Sequence, residues 1–307
     1  MVTAILLASI VYTIYSGRIY VSIASVSARF AILETRKGNV VLLRYHRKVP
    51  PPLISFDNVT VLRGGRAALA GVSMRIDAGE HVCILGPNGC GKSTLIKTIA
   101  RECYPLASEG SAMSIYGRES WNIFELRMLL GIVSPDLLAS CTGDATGRDV
   151  VLSGFFSSTR IFAHHQVRPE LVERTDSILA RLGAAHLADR PVAEMSSGEA
   201  KRILIARALV HDPKTLLFDE PSNTLDIAAQ YQLQETMRQL ARDGIGILLV
   251  THHLADIIPE IERVILLQQG RILADGAKEG ILTHERLSEL FGVDVTITRD
   301  DGYFHLR

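Results

Sequence analysis

Short apolar runs alternate with longer amphipathic stretches from about residue 53 to the C-terminus. The apolar runs have the length and the Val, Ile and Leu content of buried strands. Strands that alternate with helices predict an α/β fold with a mainly parallel sheet, covered by helices on both faces. The predicted strands are Ile54–Leu62, Ala67–Ile76, His81–Leu85, Thr215–Phe218, Ile245–Val250, Val264–Leu267, Arg271–Ala274, Val293–Thr298 and Tyr303–Leu306.

The same pattern predicts helices and turns. Helical periodicity covers Ser93–Ala100, Pro169–Leu182 and Ala200–Val210. The pattern from about residue 136 to 200 is helical, notably over Pro169–Leu182, so we expect an inserted helical subdomain there. Glycine-containing turns at Gly64-Gly65 and Asp301-Gly302 favour hairpins, and they predict that an antiparallel β subdomain accompanies the parallel sheet.

The first 52 residues differ from the rest. Residues 1–17 carry no charge, and Arg18 stands where the middle of a membrane span would fall. From Ile19 to Leu33 apolar residues recur every three to four positions, which fits an amphipathic helix. Pro50-Pro51-Pro52 predicts an extended linker, so that the folded domain would run from 53 to 307. Three interpretations of residues 1–52 stay open: an artefact of an upstream start codon, a peripheral helix or arm, and a membrane anchor.

Composition narrows the class of protein. The 33 Lys and Arg residues balance 33 Asp and Glu residues, so the charge gives no strong nucleic-acid signal. Hydrophobic residues at 47% and charged residues at 21% are typical of a globular protein. Cys83, Cys90, Cys103 and Cys141 form no CxxC pair and no metal-ligand spacing, which indicates a reduced, cytosolic context.

A glycine-rich segment, the phosphate loop, follows the predicted strand His81–Leu85. Residues 86–93 read Gly-Pro-Asn-Gly-Cys-Gly-Lys-Ser and match G-x-x-x-x-G-K-[ST] between a strand and a helix, which predicts a P-loop NTPase core. Inward N–H groups and the helix N-terminus favour an anion. Lys92 would reach the β- and γ-phosphates, and the Ser93 hydroxyl would ligate Mg²⁺. The predicted nucleotide contacts are Gly86, Pro87, Asn88, Gly89, Cys90, Gly91, Lys92, Ser93 and Thr94.

Two acids, Asp219 and Glu220, follow the apolar strand Thr215–Phe218. This order places them at the carboxyl edge of the sheet, where the ligand crevices of α/β proteins lie. Asp219 would then reach the magnesium shell, and Glu220 would polarise an attacking water. Acids that follow strands are common, so Asp219 and Glu220 indicate a nucleotide site only in combination with the phosphate loop.

A third segment, here the signature segment, is Met195-Ser196-Ser197-Gly198-Glu199, directly before a predicted helix. Ser196 and Glu199 form a capping box, which is compatible with a ligand contact at the same helix start. With these three segments in this order, the sequence from about residue 53 resembles the ATP-binding-cassette (ABC) ATPases, whose signature reads Leu-Ser-Gly-Gly-Gln. The resemblance implies ATP and Mg²⁺ as cofactors, with Ser196 and Gly198 contacting the γ-phosphate of ATP on an opposite subunit.

The resemblance extends to two further loops. Residues 222–226 look like the D-loop, with Asp226 facing the partner's site, and residues 250–253 look like the H-loop, with His252 as the switch histidine. It assigns no role to His253 or to His164-His165. The implied catalytic residues are Glu220, His252 and Lys92, and the implied metal ligands are Ser93 and Asp219.

The chain departs from the family pattern at three places. The Q-loop normally reads Val-Pro-Gln, but residues 133–136 read Val-Ser-Pro-Asp, so that Asp136 could substitute as an oxygen ligand. The adenine-stacking aromatic is replaced near Leu62-Arg63, where Arg63 could stack on the base or be a plain turn residue. Cys90 stands where many relatives have serine, and it could be a thiol of lowered pKa or a small filler.

The resemblance predicts a homodimer, or a pair with a related ATPase subunit, that sandwiches two ATP molecules. Residues 149–156 and 197–202 look most like molybdate or iron-chelate importers, which implies a separate transmembrane permease and a peripheral, cytoplasmic location at the membrane. A soluble, non-transport ATPase of the DNA repair or translation type is the alternative, which the altered Q-loop favours. A cassette without turnover is a third possibility, against which Glu220 and His252 argue.

Overall fold

The chain was analysed as a computed structural model. It describes residues 6–7, 10–15, 18–23, 31–36, 39–44, 51–141 and 144–306. It divides into two units, Met1–Pro50 and Pro51–Arg307. Among the described residues, no helix combines the length and the apolar character that crossing a bilayer requires.

The first unit is built of antiparallel strands. They are β1 (Leu6–Leu7), β2 (Ile10–Tyr15), β3 (Arg18–Ile23), β4 (Ala31–Arg36) and β5 (Asn39–Arg44). Strands β1, β2 and β3 form one sheet, and β4 pairs with β5. The expected amphipathic helix from Ile19 is therefore wrong where the range is described; its residues 24–30 lie outside the described residues. Ile19, Val21 and Ile23 also alternate with polar or amphipathic neighbours, and β-branched residues favour the strand.

The second unit carries the remaining elements. Its strands are β6 (Ile54–Arg63), β7 (Arg66–Ile76), β8 (Val82–Leu85), β9 (Ala112–Ile115), β10 (Leu130–Val133), β11 (Thr215–Asp219), β12 (Gly246–Thr251), β13 (Arg263–Gln268), β14 (Arg271–Ala277), β15 (Ile297–Asp300) and β16 (Tyr303–Leu306). Its helices are α1 (Lys92–Ile99), α2 (Ile123–Leu129), α3 (Pro135–Ser140), α4 (Gly147–Ser153), α5 (Pro169–Arg181), α6 (Ser197–Ala208), α7 (Ile227–Arg242), α8 (Lys278–Ile281) and α9 (His284–Phe291). Short 3-10 helices cover Gly154–Phe156, Ala185–Leu187, Val192–Glu194 and Leu254–Asp256.

The central sheet has the strand order β10-β11-β12-β8-β13-β14. All neighbours are parallel except β13 and β14, which form an antiparallel hairpin. Strand β8 lies in the interior of this sheet and is buried along its whole length, as a strand covered on both faces must be. Because β8, β11 and β12 run in parallel, the loops that follow them meet at one edge. The mainly parallel sheet expected from the sequence is confirmed.

A smaller antiparallel sheet has the order β7-β6-β9. Gly64 and Gly65 turn the chain between β6 and β7 with φ angles of 56° and 77°, which glycine adopts without strain. The C-terminal hairpin of β15 and β16 is also present. However, β15 begins at Ile297, because Gly292 ends α9 in a left-handed conformation and Val293 is exposed.

Helices occupy most of the chain between β10 and β11, where the sequence predicted a helical insertion. Helix α4 packs against α5 and α6, and its Val150 and Val151 join the larger of two apolar cores. That core continues to the face of the central sheet formed by Leu216 and Phe218, whereas Leu217 faces the second core, which contains α1 and the antiparallel sheet. Alternate residues of β11 thus pack into the two apolar cores, so the position of this strand, and of Asp219 and Glu220 at its carboxyl end, is fixed from both faces.

Candidate active site

The phosphate loop is held between three strands. Residues Gly86, Pro87, Asn88, Gly89, Cys90 and Gly91 form the turn, and Lys92, Ser93 and Thr94 form the first turn of α1. A Cβ on Gly86 would lie 2.2 Å from the Leu267 carbonyl oxygen, so no larger residue fits there. Gly270 connects the loop to β7: its N–H donates to the Cys90 oxygen at 2.7 Å, and its oxygen accepts from the Ala70 N–H at 2.8 Å.

Lys92 points into the loop. Its side chain is only 6% exposed, and Nζ donates to the carbonyl oxygens of Gly86 at 2.7 Å and Pro87 at 3.0 Å. The same ammonium lies 3.2 Å from Oε1 of Glu220. Lys92 is therefore held where an anion bound by the loop would meet its charge.

Glu220 bridges two of the predicted catalytic residues. While Oε1 contacts Lys92, Oε2 lies 2.6 Å from Nδ1 of His252 at the end of β12. The Glu220 N–H donates to the Val250 oxygen at 2.8 Å, and its φ is 45°, an unusual value for a non-glycine residue. The structure thus brings together Lys92, Glu220 and His252 from three separate parts of the chain.

Asp219 and Ser93 lie beside this triplet and line a cavity of about 580 Å³. Burial, reinforced by the charge of Glu220, raises the pKa of Asp219 to about 6. A cation next to Asp219 would relieve this cost, and a hydroxyl with a carboxylate is a donor set that suits Mg²⁺. Within the described residues no cluster of three or more His, Cys, Asp or Glu side chains could hold a metal. The remaining ligands would come from phosphate or water, as is usual for Mg²⁺ in nucleotide sites.

The signature segment and the D-loop each contain the N-cap residue of a helix. Ser196 caps α6, since the Glu199 N–H donates to its Oγ at 3.3 Å and the Ser196 N–H donates to the Glu199 carboxylate at 2.8 Å. Asp226 caps α7 by accepting from the Ala229 N–H at 2.7 Å, a contact that the sequence reading missed. Among the described residues that line the cavity, Ser196, Gly198 and Asp226 do not occur.

The fold and these motifs agree with comparisons with known proteins. A family model described as ABC transporter matches residues 69–223. The hemin import ATP-binding protein HmuV of Plesiomonas shigelloides is 32% identical over 271 residues, which cover 81% of this chain and 99% of that protein. The chain belongs to the ABC transporter family. It is an ATP-binding subunit and an ABC-type ATPase, as its motifs predicted.

Two solved structures have the same cassette fold. CbiO1 from Clostridium perfringens, described as part of the ABC transporter complex CbiONQ, matches with a TM-score of 0.64 and 27% identity, covering 78% of this chain and 94% of that one. The bacterial ABC transporter cassette MJ0796, described as dimeric, matches with a TM-score of 0.60 and 25% identity, covering 73% of this chain and 98% of that one. The predicted P-loop NTPase fold is confirmed.

The Q-loop of this ABC ATPase begins α3. Pro135 is the first helical residue, and Asp136 lies 3.3 Å from Nζ of Lys97 while remaining largely exposed. Asp136 lines the same cavity as Ser93 and Asp219, and its charge contributes to the raised pKa of Asp219. An acid therefore lies on the same cavity as Ser93 and Asp219, and its role as an oxygen ligand stays a prediction.

The idea of a Cys90 thiol with a lowered pKa is wrong. The side chain is 4% exposed, and burial raises the pKa of the thiol despite the nearby charge of Lys92. Cys90 instead fills the loop, where its Sγ would lie 2.7 Å from a Cβ at Gly86. Arg63 is exposed at the end of β6 and donates to Sγ of Cys103 at 3.2 Å, so base stacking by Arg63 stays a prediction.

Two buried charged residues near the D-loop escaped the sequence reading. Lys201 on α6 is 7% exposed and donates to the carbonyl oxygens of Pro221 and Asn223. Asp256 is 1% exposed, and its Oδ2 accepts from the Thr251 hydroxyl at 2.5 Å. A local signal existed for the lysine: it is spaced three and four residues from Leu204 and Ile205, on the buried face of the helix.

Proposed function

We propose that this ATPase works as a head-to-tail dimer that drives an importer of an oxyanion or a metal chelate. Each ATP would be bound between the phosphate loop of one copy and the signature segment of the other. The observation that carries the proposal is the Glu220 carboxylate, which lies between Lys92 and His252 beside the phosphate loop. This arrangement provides a cation, a base and a histidine at one phosphate-binding turn.

The residues have separate tasks in the proposed reaction. Bound Mg²⁺, held by Ser93 and Asp219, would supply positive charge to the phosphates. Lys92 would exchange its loop carbonyls and Glu220 for phosphate oxygens, because the phosphates are a stronger counter-charge. Glu220, freed from Lys92, would orient a water for in-line attack, and His252 would donate a hydrogen bond to the γ-phosphate. Positioning and electrostatics account for most of the catalysis in such a site.

The exposed ends of α6 and α7 support the dimer. Ser196 and Asp226 are exposed and lie outside the cavity, and Ile227, next to Asp226, is 87% exposed. In the proposed dimer the second copy would cover this apolar side chain together with the two helix starts. MJ0796 is described as dimeric, which supports a dimer of this chain by similarity.

The importer and its solute rest on similarity to relatives. HmuV is named for hemin import, and CbiO1 is described as part of a transporter complex. Next to the cavity, helix α2 exposes Phe124 and Met128, an apolar face suited to a helix of a separate transmembrane permease. Such a permease would place this subunit at the cytoplasmic face of the membrane. The altered Q-loop at Asp136 supports the non-transport alternative.

Two experiments test this proposal. Magnesium-dependent ATP hydrolysis by the full chain should be lost in Lys92→Met and retained in Lys214→Met, which changes an exposed lysine. Hydrolysis that survives Lys92→Met would refute the site. The full chain should also co-purify from its native cells with an integral membrane protein; recovery with nucleic acid or ribosomes instead would support the non-transport alternative and refute the importer.

A further inference from the structure

Lys201 joins the two segments that face outward from one copy. It lies on α6, two residues after the signature segment, and its ammonium donates to the carbonyl oxygens of Pro221 and Asn223 at the start of the D-loop. Backbone carbonyls in a loop have no ladder partner, so a buried cation is an effective donor for them. One side chain therefore fixes the D-loop relative to the signature helix.

Asp256 also contacts the D-loop. Its buried carboxylate accepts hydrogen bonds from the hydroxyls of Thr251, next to His252, and of Ser222, in the D-loop. Lys201 and Asp256 also attract each other electrostatically, since the charge of Asp256 favours the ammonium form of the lysine. The D-loop is thus held by a buried cation and a buried anion.

Burial of both charges has a cost that a purely structural contact would avoid. An apolar residue of similar volume would pack against Leu204 and Ile205 without desolvating an ammonium group. The charged pair instead fixes positions. It would keep the signature segment, the D-loop and the loop of His252 at a constant spacing in the proposed dimer. Buried polar groups of this kind specify one arrangement where apolar packing would tolerate several.

We propose that Lys201 and Asp256 are positioning residues that couple the signature segment and the D-loop into one rigid surface for the partner's ATP. The inference rests on the proposed head-to-tail dimer. A copy that lost the coupling would still bind ATP at its own phosphate loop, because neither residue touches residues 86–93. It would close less tightly on the ATP of a second copy.

The test compares full-length variants in a Glu220→Gln background, in which hydrolysis does not reverse ATP-driven dimerisation. Lys201→Met removes the donors at nearly constant volume, whereas Lys201→Gln keeps two N–H donors and should restore the contact. Ser222→Ala removes one hydroxyl from the contact with Asp256, and it serves where Lys201→Met fails to fold. The matched control is Lys278→Met, since Lys278 is an equally buried lysine that donates to the Pro259 oxygen instead.

Sedimentation velocity with Mg-ATP measures the dimer, and a fluorescent ATP analogue at low protein concentration measures binding by one copy. We expect Lys201→Met and Ser222→Ala to weaken dimerisation about tenfold or more, with unchanged binding by one copy. Lys201→Gln and Lys278→Met should dimerise like the parent. Equal dimerisation of parent, Lys201→Met and Ser222→Ala would overturn this inference alone. A parent that stays monomeric with ATP would overturn the proposed dimer, and the inference with it.

Discussion

Replacing Glu220 by glutamine should affect ATP binding and ATP hydrolysis in opposite directions. The carboxylate lies 3.2 Å from the Lys92 ammonium, in a pair of which the two side chains are 6% and 14% exposed. At an effective dielectric constant of about 20, this pair is worth roughly 5 kcal/mol of Coulomb energy. ATP must compete with that attraction for Lys92, and its γ-phosphate must also approach the carboxylate.

Only part of this Coulomb energy is gained, because a glutamine oxygen still accepts a hydrogen bond from Lys92 and ATP must displace that bond as well. We therefore expect a net gain of about 1–2 kcal/mol in ATP binding, a five- to thirtyfold lower Kd. Hydrolysis should fall by about 10²- to 10⁴-fold, since glutamine cannot take a proton from water.

The two quantities are measured separately. Calorimetry with a non-hydrolysable ATP analogue gives the Kd, and phosphate release under saturating ATP gives kcat. Glu109→Gln, a change at an exposed loop position, is the control and should leave both unchanged. A Glu220→Gln variant that binds the analogue more weakly than wild type would refute the competition for Lys92. Wild-type turnover would refute the role of Glu220 in hydrolysis.

Three further predictions concern the loop and the buried lysine. In urea titrations, Gly91→Ala should lower the free energy of unfolding by about 1–3 kcal/mol more than Gly89→Ala does. A Cβ at residue 91 would lie 2.5 Å from the Ala68 oxygen, whereas nothing lies near a Cβ at residue 89. Equal losses in the two variants would contradict this. Cys90 should react with iodoacetamide much more slowly in the native chain than in urea, as followed by peptide mass spectrometry; equal rates would contradict its burial. Burial lowers the pKa of Lys201 from 10.5 to about 8, so the contribution of this group to the stability of the wild type falls as the pH decreases from 10.5 to 8. The stability of Lys201→Gln relative to wild type should therefore be higher at pH 7 than at pH 10. A difference in urea midpoints that stays constant with pH would refute this.

Local motifs allowed the phosphate loop and the ends of the central strands to be predicted. The loop needs glycine where its backbone touches β13, and the capping box of Ser196 and Glu199 involves residues three apart, so both leave a signal within a few residues. Strand β8 was recognisable because a strand buried on both faces must be apolar throughout. These are features whose physical cause lies in the neighbouring sequence.

Other features depend on distant residues and were missed. The spacing from Ile19 to Leu33 fits a helix, but residues 18–23 and 31–36 lie in strands, because they pair with β2 and β5. The contact of Lys92 with Glu220 joins residues far apart in the chain. The burial that raises the Cys90 pKa comes from the surrounding fold, so the local expectation of a helix N-terminus lowering it was wrong.

The hydrogen bonds of Gly270 to the phosphate loop and to β7 restrict how this molecule can move. The turn after β13 connects the central sheet, the phosphate loop and the antiparallel sheet, so a hinge movement between these parts would break one of the two hydrogen bonds. The helices between β10 and β11 are not tied to the loop by these two hydrogen bonds. An insertion at Gln269-Gly270 would disable the ATPase even though it lies in an ordinary hairpin turn.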